Sequence, residues 1–353
     1  MKKILLTGGG TAGHVTPNLA LVPELRKNDF EIHYAGTKNG IEHELISKEN
    51  IAFHFISAGK LRRYFDFKNF TDIFRIFTAF VQSLFLIARI RPNVVFSKGG
   101  FVSCPVVWAS WIFRKPVIIH ESDITPGLAN RLSVPFASKI CYSFPETAKY
   151  LPSDRAVLTG LPVRDSLFNG DKEKGRKLCK FDTDKPVILV IGGSQGSEAI
   201  NSCIRKSLDN MLNNFNICHL CGKGNSSTTE RKGYCQFEYV NEELPHLFAL
   251  ADLVISRSGA TTLFEIISLR KPNLLIPLET NASRGDQILN AHSFEKQGFS
   301  RILKQSSLTP DALINNVNKT FSDKDEFIKT MEKSNMSNGI ARVIEVIENT
   351  VKN

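Results

Sequence analysis

Two glycine-rich turns, each preceded by an apolar strand and followed by a helical stretch, are the features best suited to chemistry. The first is KKILLTGGGTAGH at residues 2–14, and the second is KPVILVIGGSQGS at residues 185–197. Glycine lets the backbone turn sharply and approach a ligand, and it leaves the first N–H groups of the next helix available to an anion. The sequence therefore predicts two nucleotide-scale α/β halves with a cleft between them, and chemistry in that cleft.

Polar residues also follow two later strands. ADLVIS runs into RSGATTLFE at 257–265, and NLLIPL precedes RGDQILN at 284–290. A diphosphate fits the N-terminus of the helix predicted to begin in RSGATTLFE, where the macrodipole supplies about half a positive charge. Glu265 in that helix can accept hydrogen bonds from both hydroxyls of a ribose. Asp286 and Gln287 suit sugar hydroxyls. Each residue alone is more typical of a helix cap or a surface group, but their convergence at successive strand ends favours a binding site.

A dinucleotide oxidoreductase is the competing interpretation of a glycine-rich turn. Such a site needs an Asp or Glu near the end of the second strand to hold the adenosine ribose. The first half has EIHYAGT there, and the second half has NICHLCG. Neither segment supplies an acid at that position, which argues against a dinucleotide site.

Strands alternate with helical stretches along the whole chain, which predicts a doubly wound α/β domain in each half. We expect an N-terminal domain at 1–162, a C-terminal domain at 163–338 and a last helix at 339–353 that packs back towards the first domain. A length of 353 residues fits two domains.

The net charge of +10 is concentrated in the N-terminal part, since residues 1–160 hold 20 Lys and Arg against 12 Asp and Glu. The chain has no basic run interleaved with aromatic residues of the kind that indicates a nucleic-acid-binding fold. The positive charge therefore favours an anionic membrane surface or a phosphorylated substrate as the partner. The first residues lack a signal-peptide core, and we expect a cytoplasmic protein. The chain has seven cysteines, and an odd number agrees with a reducing compartment. Cys218 and Cys221 are interpreted as strand residues without a metal-binding or redox role.

Residues 70–88 form the longest amphipathic pattern, and apolar side chains cover about half of the predicted helix. Arg75 and Arg89 interrupt the run before the ~20 apolar residues that a spanning helix needs. Lys60, Arg62 and Arg63 upstream, and WIFRK at 111–115, supply groups that favour an anionic interface. A helix lying on a membrane and a packed core helix both remain open.

Six motifs in order over nearly the whole length resemble the MurG family of peptidoglycan N-acetylglucosaminyltransferases, which have the glycosyltransferase B fold. They are GGGTAGHVTPNLAL, SKGGFVSCP, HESDITPGLANR, GGSQGS, SRSGATTLFEI and RGDQILNA. The resemblance implies inverting transfer of GlcNAc from UDP-GlcNAc to the C4 hydroxyl of MurNAc in undecaprenyl-pyrophosphoryl-MurNAc-pentapeptide. It also implies a peripheral enzyme on the cytoplasmic face of the cell membrane, without a cofactor.

The resemblance implies a set of ligand contacts, carried over residue by residue. The acceptor side of the cleft is lined by Thr11, Ala12 and Gly13. The UDP phosphates lie at Ser194 and Gln195, with Arg164 beside the donor and Val240 in the uracil-binding segment. Arg257 begins the segment in which the phosphate and ribose contact Ala260, Thr261, Thr262, Leu263, Phe264 and Glu265. The GlcNAc hydroxyls contact Gln287, with Asp286 beside it.

His14 is the leading candidate for general base. It lies where a helix begins, and the positive end of that helix keeps the imidazole neutral and able to accept a proton. Asp123 stands where the family commonly has an amide, and it is open to interpretation as an alternative base, as an orienter of His14 or as a sign of a changed acceptor. No metal is required if helix N-termini hold the departing UDP, and the D-x-D at 182–184 is interpreted as a turn.

Three alternatives remain. A related glycosyltransferase that acts on another lipid, such as diacylglycerol, would share the same fold. A UDP-GlcNAc 2-epimerase would share the fold and the UDP site but would not use a membrane-facing helix. A regulator that binds the sugar nucleotide without catalysis would not need His14.

Overall fold

The computed structural model describes residues 1–57, 68–193, 195–279, 285–334, 336 and 338–352, and for 68–73 it describes the backbone alone. Two parts of the sequence analysis, Ser194 and the basic residues at 60, 62 and 63, lie outside the described residues. The chain divides into two compact units, Met1–Arg164 with Asn338–Asn353, and Asp165–Ser337. We call them unit 1 and unit 2.

Unit 1 is built on a seven-stranded parallel sheet in the order β3-β2-β1-β4-β5-β6-β7. Its strands are β1 (Lys2–Thr7), β2 (Phe30–Gly36), β3 (Ala52–Phe55), β4 (Val94–Ser97), β5 (Val117–Glu121), β6 (Lys139–Tyr142) and β7 (Ala156–Leu158). Its first helices are α1 (Thr16–Lys27), α2 (Ile41–Ile46), α3 (Lys68–Ile90), α4 (Ser103–Ile112) and α5 (Leu128–Ser133). The strand order reverses between β1 and β4, and ligands of open α/β sheets bind at such a reversal.

Unit 2 repeats the plan with a six-stranded parallel sheet in the order β10-β9-β8-β11-β12-β13. Its strands are β8 (Val187–Ile191), β9 (Asn216–Leu220), β10 (Tyr234–Phe237), β11 (Leu253–Ser256), β12 (Asn273–Leu275) and β13 (Arg301–Ile302). Its helices are α6 (Lys172–Cys179), α7 (Glu198–Met211), α8 (Leu244–Leu250), α9 (Ala260–Ser268), α10 (Asp286–Lys296), α11 (Pro310–Ser322) and α12 (Lys324–Glu332). The reversal lies between β8 and β11. The expected pair of doubly wound α/β domains is confirmed.

The central strands form because their residues are apolar on both faces, as a parallel sheet covered by helices requires. In β1, Ile4, Leu5 and Leu6 are completely buried, with Ile4 and Leu6 in one core cluster and Leu5 in another. Unit 2 has a corresponding core cluster that contains Ile188 and Val190 of β8. The strands therefore present their carboxyl ends, and the loops that follow them, from a rigid base.

The last helix, α13 (Ile340–Lys352), belongs to unit 1 although it follows unit 2 in the chain. Its buried side chains Ile340, Val343, Ile344 and Ile347 join the cluster that contains Ile4. The Asn338 side chain accepts from the N–H of Val163 and donates to its carbonyl at 3.1 and 3.0 Å. These bonds join the segment that leaves unit 1 to the segment that returns to it.

Helix α3 packs on α4, and its two faces differ. Ala79, Ile87 and Ile90 are buried, whereas the side chains of Phe74, Phe77 and Phe85 are 69%, 66% and 73% exposed. Among the described residues, no helix has both the length and the apolar character needed to cross a membrane.

Candidate active site

The first glycine-rich turn follows β1 and is held in place by the Gly99–Gly100 turn, which follows β4. The N–H of Gly9 donates to the carbonyl of Gly99 at 3.3 Å. Gly100 has a φ of +85°, and a Cβ at this residue would lie 2.3 Å from the Gly9 carbonyl oxygen. The motif SKGGF therefore supports the first turn by close backbone packing, which only glycine allows.

His14 ends a short 3₁₀ segment, Ala12–His14, just before α1. Its Nδ1 lies 3.1 Å from the Gly9 carbonyl oxygen and 3.2 Å from Oγ1 of Thr11. A carbonyl oxygen only accepts hydrogen bonds, so in the neutral form of the ring Nδ1 is the nitrogen that carries the proton. The unprotonated nitrogen is then Nε2, which is the tautomer that a general base needs.

Glu42 on α2 holds the same turn from the other side. Its buried carboxylate accepts from the N–H of Gly10 at 3.2 Å, and from the N–H and hydroxyl of Thr37 at 3.0 and 2.6 Å. These bonds connect the turn after β1 to the loop after β2. Sequence reasoning missed Glu42 because IEHELI resembles any short amphipathic helix.

Lys98, directly after β4, is a buried cation beneath these loops. Its ammonium donates to Nδ1 of His120 at 3.0 Å and contacts the hydroxyl of Ser122. Burial lowers the pKa of Lys98 to about 8, although the Glu121 and Asp123 carboxylates oppose this shift. Burial and the Lys98 charge lower the pKa of His120 well below its ordinary value, so this ring is neutral.

Glu121 is the last residue of β5, and Asp123 lies in the loop that follows. Burial and the Asp123 charge raise the pKa of Glu121, while Asn130 and two backbone N–H groups oppose the shift. Glu121 accepts from Asn130 at 2.8 Å and from the N–H groups of Gly127 and Asp123, both at 3.0 Å. Asp123 is half-buried at this strand end. The Glu121 carboxylate holds the backbone of Asp123 through this N–H bond.

In unit 2, helix α9 begins at a turn suited to an anion. Its N-cap residue is Gly259, which brings no side-chain acceptor, and the hydroxyl of Ser258 donates instead to the Gln287 carbonyl at 2.7 Å. The first bond within the helix runs from the N–H of Leu263 to Gly259 at 3.1 Å. The N–H groups of Ala260, Thr261 and Thr262 therefore lie in the first turn, where they can bind a phosphate.

The predicted contacts along α9 divide into two kinds. Thr261 and Thr262 are half-buried, whereas Leu263 and Phe264 are completely buried in the core. The side chains of Leu263 and Phe264 thus hold the helix in place, and only their backbone remains for a ligand. Glu265 is buried one turn into the helix.

Arg257 follows β11, and its guanidinium donates to three protein acceptors. They are the carbonyl of Ile276 at 2.9 Å, and Ser197 and Gln305, both at 2.6 Å. Burial lowers the pKa of Arg257. Arg257 therefore joins the ends of β11 and β12 to the start of α7, and its positive charge stays next to the second glycine-rich turn.

The remaining predicted donor contacts lie in two loops of unit 2, at the start of α10, and at the end of the first segment of unit 1. Gln195 is exposed in the second glycine-rich turn, and Val240 is half-buried in the loop after β10. Gln287 accepts from the N–H of Leu278 at 3.0 Å through its side-chain oxygen, and Asp286 next to it is buried. Arg164 is half-buried at the last residue of the first segment of unit 1.

The structure thus brings the predicted residues together in two groups. Thr11, Ala12, Gly13 and His14 share one loop of unit 1, beside the loop after β4. The predicted donor contacts of unit 2 follow β8, β10, β11 and β12 in the chain. Within the described ranges, the one cluster of side chains close enough to share a metal ion lies on other elements, at Cys179, Cys218 and Cys235.

Comparisons with known proteins identify the family to which the chain belongs. Residues 4–142 match the glycosyltransferase family 28 N-terminal domain, and residues 187–347 match the C-terminal domain of that family. A protein of Clostridium kluyveri is 55% identical over 350 residues, which are 99% of each chain. A protein of Clostridium tetani is 52% identical over 356 residues, covering 100% of this chain and 99% of its own. Both are named UDP-N-acetylglucosamine--N-acetylmuramyl-(pentapeptide) pyrophosphoryl-undecaprenol N-acetylglucosamine transferase.

Among solved structures, the crystal structure of Acinetobacter baumannii MurG is similar over 99% of this chain and 100% of its own, with a TM-score of 0.76. The two sequences are 24% identical. At that identity the likeness supports the fold alone.

Proposed function

Because the chain belongs to glycosyltransferase family 28, we propose that it transfers GlcNAc from UDP-GlcNAc to the MurNAc residue of undecaprenyl-pyrophosphoryl-MurNAc-pentapeptide. The observation that carries this proposal is the match over the whole length to transferases named for that reaction. The product is the disaccharide-linked lipid used in peptidoglycan synthesis. The enzyme is a UDP-GlcNAc-dependent N-acetylglucosaminyltransferase.

In the proposed reaction, His14 acts as the general base. The C4 hydroxyl of MurNAc gives its proton to Nε2 of His14 while its oxygen forms a bond to C1 of GlcNAc. The bond between C1 and the phosphate oxygen breaks, its electron pair leaves with UDP, and the configuration at C1 inverts. The bond from Nδ1 to Gly9 supports this role because it fixes the required tautomer.

The donor is assigned to unit 2. The first turn of α9 binds the diphosphate, which carries the negative charge that grows as UDP leaves. Glu265 accepts from the ribose hydroxyls, and Asp286 and Gln287 contact the GlcNAc hydroxyls. Gln195, Val240 and Arg164 complete the donor contacts, with Ser194 in the same turn as Gln195. The buried charge of Arg257 supports the anion from behind this turn.

The acceptor and the membrane are assigned to unit 1, with Thr11, Ala12 and Gly13 on the acceptor side. Unit 1 exposes four large aromatic side chains, Phe74, Phe77 and Phe85 on α3 and Trp111 near the end of α4, which we take as its membrane-binding surface. A cavity of about 1050 Å³ next to Trp111 is lined by Arg114, Lys115, Lys139 and Arg342. Aromatic rings with adjacent cations favour an anionic interface, and this supports peripheral binding at the cytoplasmic face.

The reaction is tested by measuring UDP release and product mass in detergent with a short-chain lipid acceptor. We expect release only when the acceptor is present, and a product heavier by one GlcNAc residue. The matched control is the same acceptor with a 4-deoxy MurNAc, which should bind without reacting. Binding of UDP-GlcNAc without turnover on the MurNAc lipid would reject the proposed acceptor and give weight to another lipid or to a binding protein.

Membrane binding is tested separately by flotation with vesicles of phosphatidylglycerol or phosphatidylcholine. We expect binding to the anionic vesicles, and weaker binding for the double variant Phe77→Ser/Phe85→Ser. Tyr239→Ser in unit 2 replaces an equally exposed aromatic residue and serves as the control. Equal loss in the control and the double variant would refute the assignment of this surface.

A further inference from the structure

Three cysteines from separate parts of unit 2 converge in its interior. Cys179 is the last residue of α6, Cys218 lies in the middle of β9, and Cys235 lies in β10. Their Sγ atoms all lie within 4.8 Å of one another. Cys179 and Cys218 are buried, and Cys235 is half-buried on the edge strand.

The backbone explains why the three meet. Cys218 and Cys235 are register partners on adjacent parallel strands, so their side chains leave the same face of the sheet. Helix α6 covers that face, and the left-handed backbone of its C-cap residue Lys180 (φ 54°, ψ 38°) stops the helix just after Cys179. The third sulfur is therefore held over the other two by a fixed helix end.

Cys221 differs, although it is three residues from Cys218. Its thiol donates to the Phe237 carbonyl at 3.3 Å, and it is not among the clustered sulfurs. The expectation that Cys218 and Cys221 do not chelate one ion together agrees with this arrangement. The partners of Cys218 come instead from sequence positions 179 and 235, which no local spacing connects.

We propose that Cys179, Cys218 and Cys235 form a three-thiolate site for one soft, thiophilic metal ion, such as cuprous copper or zinc. Thiolates select these ions, and metal–sulfur bonds of about 2.3 Å place three sulfurs around an ion roughly 4 Å apart. The sulfurs need to move by less than about 1 Å to reach that spacing, whereas a disulfide requires a separation of about 2 Å.

Metal binding by this cluster releases protons. Thiolate is the form of cysteine that binds metal. Each thiol that binds the ion gives its proton to solvent, and no change of oxidation state is involved.

The site joins the edge strand β10 to the strand β9 and to the end of α6. An ion bound there links three segments of unit 2 and binds only when they are folded, so it stabilises the folded chain. The role is structural, and it is separate from the proposed transfer reaction because none of the three sulfurs belongs to the loops assigned to the donor.

The test uses the full chain, reduced with a non-thiol reductant in the absence of oxygen. Cadmium is titrated first, because its bonds to thiolates give a charge-transfer absorption band that reports sulfur coordination. Zinc and cuprous copper are then added separately, each in competition with a chelator of known affinity. We expect the cadmium band to saturate at one equivalent, and zinc or copper to displace it.

Cys235→Ser is the decisive variant because this residue lies half-exposed on an edge strand, where the change is tolerated. We expect the band to be lost at one equivalent in this variant and retained in Cys221→Ser and Cys203→Ser, which replace buried cysteines outside the cluster. The melting temperature should rise with metal in the wild type and remain constant in Cys235→Ser. Circular dichroism without metal shows whether the variants are folded, and Cys179→Ser replaces Cys235→Ser if the latter is not.

Two outcomes would overturn the proposal. A wild-type chain without the band at one equivalent lacks the site. A band that survives in both Cys235→Ser and Cys179→Ser, or that disappears in Cys221→Ser, places the ion on other sulfurs.

Discussion

The strand ends of the two units share a plan but differ in chemistry. In unit 1, the loops after β1, β4 and β5 rest on buried groups that can gain or lose protons, namely Glu42, Lys98, His120 and Glu121. In unit 2, the corresponding loops rest on Arg257, which keeps its charge at any ordinary pH, and on backbone N–H groups, and the buried carboxylates Glu265 and Asp286 lie on the helices that follow.

This difference corresponds to what each half of a transfer reaction requires. A diphosphate is anionic throughout the reaction and gains negative charge as it leaves, so fixed dipoles and a permanent cation suit it. A hydroxyl must lose a proton, so its side requires a base whose tautomer and surroundings are controlled. One fold used twice therefore supports two kinds of electrostatics, set by a few residues after the strands.

The largest effect is expected from His14→Ala. Loss of a positioned base should lower kcat by ~10²–10⁴, or roughly 3–5 kcal/mol of barrier, while the Kd for UDP-GlcNAc stays constant. UDP release and calorimetry measure the two quantities. His292→Ala, at an exposed histidine of α10, is the control. A fall of less than tenfold would transfer the role of base to Asp123, which Asp123→Asn would then test.

The Gly99–Gly100 turn after β4 and the second glycine-rich turn after β8 should respond differently to an added methyl group. Gly100 and Gly193 both have positive φ, at +85° and +94°, but no described atom lies within 4 Å of a Cβ built at Gly193. Gly100→Ala should cost about 2–4 kcal/mol of unfolding free energy, since steric overlap adds to backbone strain. Gly193→Ala should cost about 1 kcal/mol and weaken UDP binding.

Denaturant unfolding and UDP titration of both variants measure these effects. Equal loss of stability would mean that the turn at Gly193 is packed as tightly as the turn at Gly100. Unchanged UDP affinity in Gly193→Ala would mean that the phosphate does not approach this turn.

Lys98 should make stability depend on pH. Its pKa is about 8 in the folded chain against an ordinary value of 10.5, so between these values the folded state binds fewer protons than the unfolded state. Stability should therefore rise with pH in this window, by about 2 kcal/mol between pH 7 and pH 9.5 relative to Lys98→Met. Unfolding in denaturant at both pH values measures the difference. A difference that stays constant, or that falls with pH, would show that Lys98 is not desolvated as described.

The smallest effect is expected from Glu265→Gln. A neutral amide keeps an acceptor but loses the charge-assisted part of the bond to ribose, so affinity should fall about tenfold. The loss should be equal for UDP and UDP-GlcNAc, because both contain the ribose. Glu295→Gln on α10 is the matched control, and calorimetry gives the affinities. A loss confined to UDP-GlcNAc would assign Glu265 to the sugar instead.

The sequence predicted the central strands and both glycine-rich turns, because apolar runs followed by glycine are local signals. It missed the three strands β3, β10 and β13, which are short and partly exposed, so they lack a continuous apolar run. Their pairing is decided by the neighbouring strand and not by their own residues.

The candidate site shows the same limit. His14 was predicted because it directly follows a glycine-rich turn, whereas Glu42 and Lys98 act across loops that only the sheet brings together. The contact of Arg257 with a ligand stays a prediction, and its hydrogen bonds to Ser197, Ile276 and Gln305 are long-range, so no local motif reveals them.

The position of α13 affects how the chain is made. Unit 1 obtains its last core segment from α13. The ribosome adds about 190 residues to the chain after Arg164 before that helix is complete. At 5–20 residues per second, synthesis of that stretch takes about 10–40 s. During this time the surface that later binds Ile340, Val343 and Ile347 is exposed on the nascent chain. A stop codon before residue 340 would therefore leave unit 1 open permanently, so truncated chains should be prone to aggregation and proteolysis in the cell.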